Sequence, residues 1–221
     1  MQGVFNIPER WSDPVAGLKR VAMITLAILS VESLPLLLKG RKLPISPIAL
    51  LGLIRLADTL IMIICGPRWF KGRGLAKSLR DAALITLLFT GAGFLFLAGW
   101  KGYWGSSMFG GGVGAGYPNA ATLAIFLITS SLLSPLAEEF YFRGLLYRKM
   151  REKGSIWVSM AAVSLLFASV HFWFGNEALF PLLGSIVFCV GYEVTKTILT
   201  PILLHISGNL IIYMAPFIGF I

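Results

Sequence analysis

The sequence predicts an all-α membrane protein, a polytopic bundle of about seven transmembrane helices. Three observations carry that expectation. Of the 221 residues, 57% are hydrophobic and only 13% charged, whereas soluble domains are about a quarter charged. Mean hydropathy is +0.81. Windows of about 20 apolar residues, the length that crosses a bilayer core of about 30 Å, recur along the whole chain.

The first twenty residues are polar, broken by Pro8 and Pro14, and lack the apolar stretch of a cleavable signal peptide. Insertion is therefore expected through the first span itself. The spans are expected near 21–38, 45–65, 82–100, 119–147, 156–174, 179–195 and 198–219. The glycine-rich stretch 109–116 is too flexible for a helix and reads as the loop between the third and fourth spans. No period of 20–50 residues repeats, so residues 1–221 read as one membrane domain. Cys65 and Cys189 lie far apart in or beside apolar segments, without a CxxC pattern, and read as packing residues.

Loop charge sets the expected orientation. Thirteen basic residues fall on one side: Arg10, Lys19 and Arg20 in the tail; Arg68, Lys71, Arg73, Lys77 and Arg80 after the second span; Arg148, Lys149, Arg151 and Lys153 after the fourth; and Lys196 after the sixth. Four fall on the other: Lys39, Arg41, Lys42 and Lys101. Basic loops stay inside, which predicts a cytoplasmic N-terminus, and the lack of targeting signals together with the compact length points to an integral protein of the prokaryotic inner membrane. The net charge of +9 is accounted for by those loops. No basic-aromatic surface or nucleic-acid motif accompanies it, so no nucleic-acid partner is expected.

A few polar residues inside the apolar segments carry the chemistry. Each intramembrane carboxylate is expensive, on the order of 2.5–3.5 kcal/mol on insertion scales, yet Glu138 and Glu139 are adjacent within an apolar stretch. Glu139 and Arg143 are four apart, on one helical face and in the favoured order for pairing. Glu138 points about 100° away. The pattern suggests that Arg143 neutralises Glu139 and leaves Glu138 free, the alternative being a structural ion-pair cluster. His171 lies 33 residues after Glu138 with Gly154 near the midpoint, so a helical hairpin turning there sets both at one height as a general-base pair. A hydrogen-bonded core histidine is the competing reading. His205 and Asn209 share a face and could donate two hydrogen bonds to one oxyanion, or act as polar glue between helices, with Ser207 and Gly208 letting another helix approach.

One tension in depth remains. At 1.5 Å per residue, Glu138 and His171 lie roughly 25 Å from the cytoplasmic turn and His205 roughly 14 Å from its own. The levels match if the hairpin of spans four and five projects by about 10 Å. Arg55 with Asp58, Glu32 and Glu193 are expected to make structural polar contacts.

Together, EEFYFRG at Glu138–Gly144, FASVH at Phe167–His171 and HISGN at His205–Asn209 resemble the CPBP family of CAAX proteases and bacteriocin-processing enzymes. Its pattern is EExxxR, FxxxH and HxxxN in that order on successive membrane helices. The resemblance implies an intramembrane glutamic endopeptidase whose catalytic core is 119–219. In it Glu138 and His171 activate a water, Glu139 and Arg143 support the site structurally, and His205 and Asn209 form the oxyanion hole. No cofactor or metal is implied. The substrate is expected to be a membrane-associated protein or peptide: a prenylated CAAX tail, a leader peptide or a C-terminal anchor, with leader or anchor processing preferred. Two other readings of the same residues remain. A zinc protease would use Glu138, His171 and His205 as ligands, although HExxH is absent. A transporter or membrane scaffold would use them as a proton relay or buried ion pairs.

Overall fold

The computed structural model describes residues 14–42, 44–66, 75–99, 119–173 and 178–214. Among them seven helices stand at the seven expected places and no strand occurs. They are α1 (Pro14–Glu32), α2 (Pro47–Cys65), α3 (Leu75–Gly99), α4 (Ala120–Arg151), α5 (Ile156–Trp173), α6 (Leu179–Thr195) and α7 (Leu199–Met214). Arg10, Arg68, Lys71, Arg73, Lys101 and the glycine-rich stretch 109–116 lie outside the described residues. Lys19 and Arg20, read as tail residues, sit within α1.

Local signals fix the helix starts. Ser46 accepts a hydrogen bond from the Ala49 amide, and Pro47 occupies the first turn of α2, where its missing N–H is no loss. Asn119 accepts from the Thr122 amide at 2.9 Å and starts α4. Ser155 accepts from the Val158 amide at 3.2 Å and starts α5.

Among the described residues three stretches are long and apolar enough to cross a membrane: Ala16–Leu37, Pro47–Cys65 and Ala120–Arg151. Their outer faces, and those of the shorter apolar helices, expose leucine, isoleucine and Trp157. In water so much apolar surface would aggregate; in lipid it is the solvated face. The protein is an integral membrane protein.

α4 runs through the middle. It is continuous over 32 residues but winds as a π-helix at Thr129–Leu133 and again at Phe140–Tyr147. Pro135, just past the first π segment, has no N–H to return to the previous turn. The two π segments flank the short α-helical stretch Ser134–Glu139 that ends on both glutamates. Phe140, Phe142, Leu145 and Tyr147 of α4 form the core with Met62 of α2, Val163 and Phe167 of α5, Cys189 and Tyr192 of α6 and Ile202 of α7. Cys189 packs there as expected, whereas Cys65 ends α2 exposed and packs no core.

Polar clasps tie the helices together. Arg55 of α2 bonds Glu32 of α1 and lies 3.4 Å from Asp58, so these three are structural. At the other end of the bundle Glu193 accepts from the Tyr147 hydroxyl and Arg151 Nε, both at 2.8 Å, and from Lys196. This clasp resolves the mismatch in depth. The α6–α7 turn meets α4 at Tyr147 and Arg151, so the hairpin tip at 152–155 projects past it. Glu139 then stands eight residues, about 12 Å, from that level, close to the offset of His205.

Helices approach most closely where glycine allows. The expected approach at Ser207 and Gly208 is absent among the described residues, since a Cβ on Gly208 would meet nothing within 4 Å. Instead a Cβ on Gly191 would meet Leu204 Cδ1 at 2.8 Å and Thr200 Cγ2 at 3.0 Å, and one on Gly52 would meet Thr129 Oγ1 at 2.9 Å. The close α6–α7 contact therefore rests on Gly191. Gly191→Val should overpack it and destabilise the protein by about 1–3 kcal/mol. Gly208→Ala should leave thermal unfolding in detergent unchanged or slightly raise its midpoint.

Candidate active site

The two glutamates occupy successive positions at the end of the short α-helical stretch of α4, so their side chains diverge. Glu139 turns into the bundle and is fully buried. Its Oε1 accepts from Arg143 Nη1 at 2.9 Å and meets His205 Nδ1 of α7 at 2.8 Å. The expected Glu139–Arg143 pair is therefore present, and His205 joins it as a third member.

Arg143 is also fully buried. Its Nη2 donates to the Ser185 carbonyl at 3.0 Å and to Ser185 Oγ at 2.5 Å, and Ser185 Oγ donates to Ser164 Oγ at 3.1 Å. The guanidinium carbon lies 4.8 Å from the Phe167 ring centre and 5.1 Å from that of Phe188, within range of favourable cation–π contact.

Glu138 points about 100° round the helix, and its Oε2 lies 3.8 Å from His171 Nε2 and 3.9 Å from His205 Nε2. Both are too long for direct hydrogen bonds, and Oε2 is a buried atom without a partner. The hairpin of α4 and α5 thus brings Glu138 and His171 to one height, as their spacing requires.

The histidine tautomers follow from the partners. His171 Nδ1 lies 2.9 Å from the Phe167 carbonyl one turn earlier. A carbonyl only accepts, so Nδ1 carries the proton. The Glu139 carboxylate, paired with Arg143, sets the same requirement at His205 Nδ1. Both imidazoles therefore turn Nε2 toward Glu138. The rings are held by stacking, His171 on Phe167 with centres 4.3 Å apart and His205 on Phe188 at 4.7 Å and 21° between planes. Glu138 and His171 keep 15% and 23% of their side-chain surface accessible, against none for Glu139 and Arg143.

Asn209, one turn beyond His205, donates from Nδ2 to the Ser130 carbonyl at 2.8 Å. That carbonyl lies in the first π segment of α4. One N–H of the carboxamide is engaged there and the other is left for a further acceptor.

Five motif residues, Glu138, Glu139, Arg143, His171 and His205, form one chain of contacts within 4 Å across α4, α5 and α7, and Asn209 stands one turn beyond His205 on α7. Sequence reasoning did not find Ser164, Ser185, Phe188 or the Ser130 carbonyl. Serines inside apolar helices were the available signal for the first two. Phe188 has none, because a phenylalanine in such a helix is ordinary. Among the described residues no group of three or more histidine, cysteine or acidic side chains is placed to hold a metal ion. Glu138 Oε2 stands 3.8 and 3.9 Å from the two imidazole nitrogens, wider than the ~3.4 Å edge of a tetrahedral zinc site.

No curated protein and no solved structure matches the chain. Residues 120–211 match the family model Rce1-like, described as type II CAAX prenyl endopeptidase Rce1-like. That segment contains EEFYFRG, FASVH and HISGN in full, so the family match and the likeness of the three motifs to the CPBP family of CAAX proteases fall on the same residues.

Proposed function

We propose that this chain is an intramembrane endopeptidase that hydrolyses a peptide bond of a membrane-associated substrate with a water activated by Glu138 and His171. The observation that carries the reading is that two acceptors, Glu138 Oε2 and His171 Nε2, face each other at 3.8 Å, with His205 Nε2 3.9 Å from the same oxygen. Acceptors facing one another need a donor between them. A water held by Glu138 Oε2 and His171 Nε2 uses both its protons and keeps a lone pair for attack.

The steps follow from these positions. The water oxygen attacks the scissile carbonyl carbon as its proton passes to Glu138. The carbonyl oxygen becomes an oxyanion and accepts from His205 Nε2–H and from the second N–H of Asn209. His205 can donate at Nε2 while Nδ1–H stays on Glu139 only as an imidazolium. The charges then balance, with two carboxylates against one guanidinium and one imidazolium, which a buried set requires. Glu138 next gives its proton to the leaving nitrogen, the C–N bond breaks, and a new carboxyl and a new amine depart.

Within this proposal the seven helices each cross the bilayer with the N-terminus in the cytoplasm, residues 1–221 form one membrane domain, and 119–219 form the catalytic core. The substrate classes are a prenylated CAAX tail, a leader peptide or a C-terminal anchor. Comparison of protein termini between deletion and wild-type cells identifies which accumulates unprocessed.

Glu138→Gln should lower the cleavage rate by about 10²–10⁴-fold, the usual contribution of a positioned general base, with thermal unfolding in detergent unchanged. Full activity in that folded variant would end the mechanism. Glu139→Gln leaves Arg143 buried beside a neutral amide and should destabilise the protein by about 3–5 kcal/mol, so its unfolding midpoint should drop while that of Glu138→Gln does not.

One observation favours a second reading with zinc on Glu138, His171 and His205. Both histidines donate Nδ1–H to an oxygen acceptor, as metal-bound histidines do. Cleavage that survives exhaustive chelation supports the water-glutamate mechanism; loss restored by added zinc supports the metal.

A further inference from the structure

Helix α6 contributes none of the three motifs, yet it touches the buried set twice. Ser185 receives Arg143 through both its carbonyl and its hydroxyl. Three residues on, and so on the same face, Phe188 lies under both the guanidinium and the His205 ring. The hydrogen bonds continue as one chain from Ser164 on α5 through Ser185 on α6, Arg143 and Glu139 on α4, to His205 on α7.

A single hydrogen bond at Nδ1 fixes one corner of the His205 ring. It leaves the ring free to swing about that bond, and Nε2 would swing with it. Phe188, nearly parallel at 21° and 4.7 Å, removes that freedom. Ser185 acts one step earlier. Glu139 Oε1 is shared by Arg143 and His205, so its position depends on where the guanidinium is held, and Ser185 holds the far side of it.

We infer that Ser185 and Phe188 are positioning residues that aim His205 Nε2 at the reacting centre, an inference that rests on the protease reading above. Neither residue touches the water or the substrate. His171 does not depend on them, because its own anchor is the Phe167 carbonyl.

The chain has two histidines, which makes the test direct. Protein labelled with ¹⁵N-histidine, carried on a histidine-free affinity tag and purified in detergent, should show two imidazole Nδ1–H protons protected from exchange with water. In Phe188→Leu and in Ser185→Ala the His205 proton should exchange at least about tenfold faster while that of His171 is unchanged. Acceleration of both protons together would mean general loosening, and unchanged exchange at His205 in both variants would mean no positioning; either result overturns the inference. Ser185→Ala removes one oxygen and leaves the carbonyl contact, so it keeps the test available if Phe188→Leu does not fold.

With a peptide that the wild type cleaves, kcat in both variants should fall by about 10- to 100-fold, the scale of a misplacement near 1 Å, with KM unchanged. Phe188→Tyr, which keeps the ring, should restore it. Glu138→Gln separates the two ideas: cleavage surviving there ends the protease mechanism, whereas the exchange measurement decides the roles of Ser185 and Phe188 independently.

Discussion

The structure depends on one shared oxygen. Glu139 Oε1 accepts from Arg143 and from His205 in a fully buried setting. A carboxylate and a guanidinium without water are tolerable only when each finds charge-assisted partners. That requirement draws α6 and α7 against α4: Arg143 reaches α6 for two further acceptors at Ser185, and Glu139 reaches α7 for an imidazole. In lipid, where apolar faces gain nothing from meeting each other, such polar links decide which helices become neighbours.

The same link sorts the two adjacent glutamates. Glu139 is tied through Oε1 to Arg143 and His205 and is fully buried, while Glu138, one residue earlier, makes neither contact as a hydrogen bond and keeps part of its side chain exposed. A helix turns by about 100° per residue, so neighbouring carboxylates can be given different surroundings without any special backbone device. Around this pair α4 departs from α-helical winding on both sides. π-turns are common at functional sites because they re-aim side chains and free carbonyls. The first of them supplies the carbonyl that Asn209 takes. The backbone and the last motif residue are thereby joined on the side away from the Glu193 clasp.

The family match and the geometry bear on different questions. The family match covers 120–211, and there the sequence motifs and the contacts coincide. Outside it, α1 and α2 are tied by Arg55, Glu32 and Asp58, which have no counterpart in the motif set and read as structural glue for the first half of the bundle.

The sequence by itself determined the helical class, the placing of the seven helices, and the three motifs, because hydropathy windows and i, i+4 spacings are local quantities. It also gave the Glu139–Arg143 pair and the common height of Glu138 and His171, which follow from helical rise and hairpin symmetry. Only the tertiary structure decided that His205 leans on Glu139, that Asn209 takes a π-segment carbonyl, that Gly191 rather than Gly208 carries the close approach, and that α6 holds the site from behind. Those outcomes depend on which faces meet across helices. In an apolar chain many rotations of a helix look alike until a buried charge selects one.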